Sequence, residues 1–225
     1  QGFEPSQYGD FYVSGPAGFS ADLANAFAGI DGILLLVALA AVLVILVVVY
    51  RAVLLPLLVI FTAVAGLCAA ILATYWMAKA GIIALNGQSQ GILSILVIGA
   101  ATDYSLLLVA RQREELQHTK SVADSLKASW KASFGAITAS AATVAIALLC
   151  LLVSDLNSNQ SLGPIAATGI FFAWVAALTL LPALLFLCGR AAFWPVTPKI
   201  SGSGSSHKFW NKVANIVEGS PRKVW

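Results

Sequence analysis

Five long apolar runs constrain this chain more than any other feature: about Gly32–Tyr50, Val53–Met77, Gly91–Ala110, Phe134–Val153 and Gly163–Cys188. Each is close to or above the ~20 residues that carry a helix across a hydrocarbon core ~30 Å thick. In hydrocarbon every backbone N–H and C=O must be satisfied within the chain, and a helix does this inside one segment. Composition agrees, since the chain is 59% hydrophobic and 10% charged, against roughly 25% charged residues in a soluble domain. The expected fold is an all-α membrane protein, a five-transmembrane-helix bundle.

Sidedness follows from the basic residues, which accumulate in cytoplasmic loops. With the N-terminus outside and the C-terminus cytoplasmic, every Lys and Arg except Lys79 falls on the inner side, twelve of the 13. The first thirty-odd residues hold Glu4, Asp10, Asp22 and Asp31 and no base, which suits the outer face. The net charge of +3 therefore describes topology and gives no reason to expect a nucleic-acid partner. An outer N-terminus beginning at Gln1 without a signal peptide needs something upstream to translocate it, most simply another transmembrane helix. Cys68, Cys150 and Cys188 lie within apolar runs at spacings that suit neither a metal site nor a disulfide framework. They read as small buried hydrophobes, and neither a metal nor a cofactor is expected.

The connections carry further signals. Pro56 stands in the first turn of the second helix, where its missing N–H breaks nothing. The segment Lys79 to Gln90 reads as an interfacial outer connection. In the inner loop Arg111 to Lys131, the apolar residues Leu116, Val122, Ala123, Leu126 and Trp130 fall near one helical face, so an amphipathic helix on the cytoplasmic surface is expected. Pro164 opens the fifth helix. Pro182, near its inner end, removes a backbone hydrogen bond and calls for a kink with a neighbour at the freed carbonyl. After Cys188, Gly202 to Ser206 form a flexible linker, and Lys208 to Val217 a short amphipathic helix ahead of the basic, aromatic end at Trp225.

One ionisable side chain lies deep in a span. Asp103 is eight residues from Arg111, so at 1.5 Å per residue its carboxyl sits about 12 Å inside the core, near the midplane. A charged Asp there costs at least ~2.5–3.5 kcal/mol, and such residues mark ion and proton pathways. Desolvation disfavours the carboxylate relative to the neutral acid, the property a proton carrier needs. Tyr104 points about 100° round the helix, better placed for a partner's carboxylate than for that of Asp103. Gly99, Ala100 and Ala110 lie on or beside the Asp103 face and permit another helix to come close. Ala136, Ser140, Thr143 and Ala147 form a small, hydroxylated face on the fourth helix, a natural partner for it. Thr138, Ser140 and Thr143 are also free to bond only their own backbone carbonyls, and Asp103 itself could be a neutral structural group.

Gly99-Ala100-Ala101-Thr102-Asp103-Tyr104 with Arg111-Gln112-Arg113-Glu114-Glu115 resembles the Asp-Tyr helix and basic inner flank of MmpL-type transporters, members of the resistance-nodulation-division superfamily. Asn86 to Gly91, Ala139 to Thr143, Leu180 to Leu184 and Gly189 to Pro195 are similar too, so the resemblance runs from about Val13 to Trp225. The chain departs from it at Ser133 to Ile137, lacking an Arg that some members carry. The resemblance implies residues 1–31 as the end of an extracytoplasmic porter domain, 32–190 as the second to sixth helices of the first half, and 191–225 as a cytoplasmic approach to the next helix. It also implies that Asp103 and Tyr104 form half of a proton relay, with Ser140, Thr143 and Gly99 as neighbours.

The function so implied is the proton-coupling, non-enzymatic part of an exporter of lipids or hydrophobic compounds in the bacterial plasma membrane. Its expected partners are the bilayer, protons, the second transmembrane half, a lipid or hydrophobic substrate and, as an open option, further copies in a homo-oligomer. The alternative is a non-transporting module of sterol-sensing type, for which an acid at the midplane has no evident use. A channel of repeated subunits is weaker, because no polar ring accompanies Asp103.

Overall fold

The computed structural model describes residues 15–83, 87–119, 121–154 and 157–195. These form five helices: α1 (Pro16–Tyr50), α2 (Leu54–Lys79), α3 (Gly87–His118), α4 (Val122–Leu149) and α5 (Asn157–Cys188), with 3-10 turns at Cys150–Val153 and Gly189–Phe193. Four stretches, Leu54–Lys79, Ser89–His118, Val122–Val153 and Asn159–Phe193, are long and apolar enough to cross a membrane, and α1 adds the shorter apolar stretch Leu35–Tyr50. The expected linker at Gly202 to Ser206 and helix at Lys208 to Val217 lie outside the described residues, as does the segment before Ser14.

The helices run past the apolar runs that announced them. α1 begins at Pro16, well before Gly32, and α5 at Asn157, so Pro164 lies within the helix and does not open it. The inner loop differs most. α3 continues to His118 and α4 starts at Val122, which makes the stretch a helical hairpin and not a separate surface helix. A helix leaving the bilayer needs no change of backbone. The apolar residues read as one face divide between two helices, with Leu116 buried on α3 and Val122 and Leu126 half-buried on α4. Ser121, in extended backbone, caps α4 by accepting from Asp124 N at 3.3 Å, and Asp124 in the first turn favours the helix dipole.

α5 is the hub, packing against α2, α3 and α4. Small residues make this possible. A Cβ on Gly66 would meet Ala176 Cβ at 3.2 Å, one on Gly163 would meet the Leu148 carbonyl at 2.7 Å, and one on Gly169 would meet Leu93 Cδ1 at 2.5 Å and Val97 Cγ2 at 2.6 Å. Around these close approaches Leu55, Val59, Leu93, Val97, Ile165, Ala173, Ala177 and Leu181 form a buried core. Without a hydrophobic force between helices in lipid, such backbone proximity and dispersion supply the association. Cys68 and Cys150 are exposed on the bundle surface and only Cys188 is half-buried; they are small apolar surface groups and not the core residues the sequence suggested.

The hydroxyls of Thr62, Thr74, Thr102 and Ser105 donate to carbonyls one turn back at 2.6–2.8 Å, so they carry no interhelical information. At Pro182 the carbonyl that loses its partner is Leu178 O, and Trp130 Nε1 on α4 donates to it at 3.0 Å. A tertiary indole thus replaces the helix hydrogen bond, and α5 continues through the proline.

The end carrying most basic residues is tied by polar contacts. Gln112, 1% exposed, donates to Ser125 Oγ at 3.1 Å and accepts from Ser129 Oγ at 2.7 Å, joining α3 to α4. Arg190 Nη2, beyond α5, donates to Leu116 O at 3.2 Å and Thr119 O at 2.8 Å, covering the last carbonyls of α3. Ala52 and Pro195 form an antiparallel bridge that holds the α1–α2 turn against the same segment.

Candidate functional site

Asp103 lies mid-way along α3 and is exposed on the outside of the five-helix bundle. The interior-facing positions of this stretch are Ala101, Tyr104, Ser105 and Leu108, all buried, and Asp103 stands about 100° from Tyr104, which turns it outward. Tyr104 is 4% exposed. The Ser140 side chain of α4 and the Asp103 carboxyl both lie near enough to its hydroxyl to act on it. Asp103, Tyr104 and Ser140 are therefore one cluster, spanning the α3–α4 seam and opening onto the bundle surface.

The remaining expected neighbours separate. Thr143 Oγ1 donates to Ala139 O at 2.8 Å, so it bonds its own helix. Thr138 accepts from Trp174 Nε1 at 3.1 Å and belongs to the α4–α5 contact. Gly99, one turn from Asp103, faces space with nothing within 4 Å of a Cβ built there, and the same holds for Gly135 on α4. Ala110, Ala136, Ala147, Ser140 and Thr143 are exposed beside them. The small residues around Asp103 thus border an open face, in contrast to those that close the α5 seam.

Sequence reasoning passed over the buried Gln112–Ser125–Ser129 link. The signal was present: Ser121, Ser125, Ser129 and Ser133 recur every four residues and so line one face of α4. Ser133, next along that face, is buried with its Oγ unpartnered among the described residues.

The fold defines a multi-pass helical membrane protein, with Asp103 mid-way along one of its spans. The chain belongs to the MMPL family, whose family model matches residues 3–224, and so to the MmpL-type transporters of the resistance-nodulation-division superfamily. It is 52% identical over 214 residues to SCO0839 of Streptomyces coelicolor, covering 95% of this chain and 30% of that protein. It is 37% identical over 189 residues to the apo-petrobactin exporter of Bacillus anthracis, covering 83% of this chain and 25% of the exporter. With the sulfolipid-1 exporter MmpL8 of Mycobacterium tuberculosis it shares 31% identity over 156 residues, 68% of this chain and 14% of MmpL8. The chain thus spans under a third of the length of these relatives.

Proposed function

We propose that this chain is the proton-coupling transmembrane part of an exporter of lipids or hydrophobic compounds driven by the proton-motive force. The observation that carries the reading is the outward-facing carboxyl of Asp103 beside Tyr104 and Ser140. An acid at that depth is costly when ionised against lipid and far less so when neutral. A second helical body seated on the open face would enclose it. Protonation then permits close approach of apolar surfaces, and ionisation favours an arrangement in which a hydroxyl or water solvates the carboxylate. Alternation between the two moves the helices, and Tyr104, near Ser140, is the polar group placed to follow the charge on Asp103.

Each proton crossing contributes ~2.3 kcal/mol per 100 mV, enough to bias a bundle with two arrangements of similar energy. The relatives named as exporters of apo-petrobactin and of sulfolipid-1 support a bulky, partly apolar cargo. Choice among cargoes belongs to parts of the protein outside this bundle.

The test is Asp103→Asn in the full-length protein, reconstituted in vesicles under an imposed pH gradient. Asn keeps the size and hydrogen bonding of the neutral acid, so insertion and melting are expected to be unchanged while gradient-driven transport and proton uptake are lost. Undiminished transport by this variant overturns the relay.

A further inference from the structure

An open groove of about 450 Å³ lies between the end of α1 and the half of α3 nearest the basic end, lined by Tyr50, Leu106, Val109, Ala110, Arg113 and Gln117, with Val49 and Glu114 at its edges. Its polarity is graded along the helix axis. Leu106, Val109 and Ala110 are apolar and at membrane depth, whereas Arg113 and Gln117 follow Arg111, the residue that marks the membrane surface. Four residues separate Leu106 from Ala110, so the apolar wall is about 6 Å deep, somewhat under half of one leaflet's share of a ~30 Å core.

The charges of the rim are unequal. Glu114 is committed to Arg111, Nη1 to Oε2 at 2.9 Å, whereas no acidic side chain pairs with Arg113 among the described residues. That leaves a guanidinium as the rim's uncommitted charge. Beside it the Tyr50 side chain, 8% exposed, is part of the groove wall, with its hydroxyl shut off from solvent. A fork-shaped cation above an apolar wall suits a phosphate diester with an acyl chain attached.

We infer that this groove is a binding site for a phospholipid of the leaflet at the basic end, its phosphate held by Arg113 and one acyl chain lying along Leu106, Val109 and Ala110. The site does not depend on the proton relay, although Leu106 is three residues from Asp103 and a bound chain would end close to that acid. The lipid is a resident of the site, distinct from transported cargo.

Full-length protein in nanodiscs of phosphate-free galactolipid, supplied with phosphatidylglycerol carrying a photoreactive acyl chain, tests this by peptide mapping of the adducts. Adducts are expected at Val49 and at Leu106 to Ala110, with unlabelled phosphatidylglycerol competing. Arg113→Gln is expected to cut this labelling about tenfold, the loss of one charge-assisted hydrogen bond, with Arg113→Lys restoring part of it. Lys127→Gln, an equal charge change on exposed α4, leaves it unaltered. Adducts spread evenly round the bundle, or a groove that stays unlabelled because another part of the protein covers it, overturn the proposal. So does labelling indifferent to Arg113→Gln. Displacement of the lipid by soluble glycerol 3-phosphate would mark a free-phosphate site and overturn the lipid assignment.

Discussion

At Gly169 a methyl group would stand 2.5 Å from Leu93 Cδ1 and 2.6 Å from Val97 Cγ2, whereas at Gly99 it would meet nothing within 4 Å. Both glycines sit in transmembrane helices, and both belong to faces rich in Gly, Ala, Ser and Thr. The α5 seam uses its small residues to bring backbones together inside this chain. The Asp103 face of α3 and α4 has the same composition and, among the described residues, nothing against it. Small residues in a membrane helix therefore mark contact surfaces without saying whether the partner lies in the same bundle. The polar content separates the two: the α3–α5 contact at Gly169 is sealed with apolar side chains, and the open face holds Asp103, Ser140 and Thr143.

The sharpest break of that comparison is Gly169→Ala. Leu93 and Val97 are 1% and 0% exposed, so there is little space for them to yield, and overpacking of a filled core costs about 1–3 kcal/mol. A fall in the melting temperature of the detergent-solubilised chain is expected. Unchanged melting would mean that the α3–α5 contact is looser than its geometry.

The number of helices and the prominence of Asp103 were legible in the sequence for one reason. A bilayer punishes polar groups heavily, so both apolar runs and their single interruption stand out. Helix ends were not legible by the same logic. Apolar length reports the thickness of the hydrocarbon, and nothing obliges α1 to start at Gly32 or α3 to stop at Ala110. The link of Gln112 to Ser125 and Ser129 was hidden because polar residues outside the bilayer carry no penalty, and only their four-residue spacing set them apart. Which way Asp103 points could not be read at all. Its angle from Tyr104 is fixed by the helix, but which of the two faces the interior depends on how α3 packs against α2, α4 and α5.

A smaller effect is expected at the α4–α5 contact. Trp130→Phe keeps the ring and its packing on Phe134, whose centroid is 4.9 Å away, but removes the donor to Leu178 O. Because Pro182 cannot supply an N–H, that carbonyl has no replacement within the helix. Trp130 is 37% exposed and near the basic end, so water has some access, and a loss of about 1 kcal/mol is expected. The double variant Trp130→Phe with Pro182→Ala should recover it, since alanine restores the helix donor. Failure to recover would show that the indole contributes through packing alone.

The smallest effect on the chain itself is predicted for Gly99→Leu, and there the contrast between the two faces is most sharply drawn. Position 99 is half-exposed with open space before it, so a leucine can be accommodated without moving a neighbour. The stability of the isolated five-helix bundle should change by less than about 0.5 kcal/mol, as for substitutions away from packed features. In the full-length protein the same leucine would stand one turn from Asp103, on the face where a second helical body is proposed to seat. It should then lower gradient-driven transport and weaken contact between the halves, read as reduced disulfide trapping across the open face. A variant that is neutral in the bundle and damaging in the whole protein separates a waiting interface from a lipid-facing surface. If Gly99→Leu is neutral in both, the Asp103 face is lined by lipid, and the carboxyl must find its proton partner elsewhere.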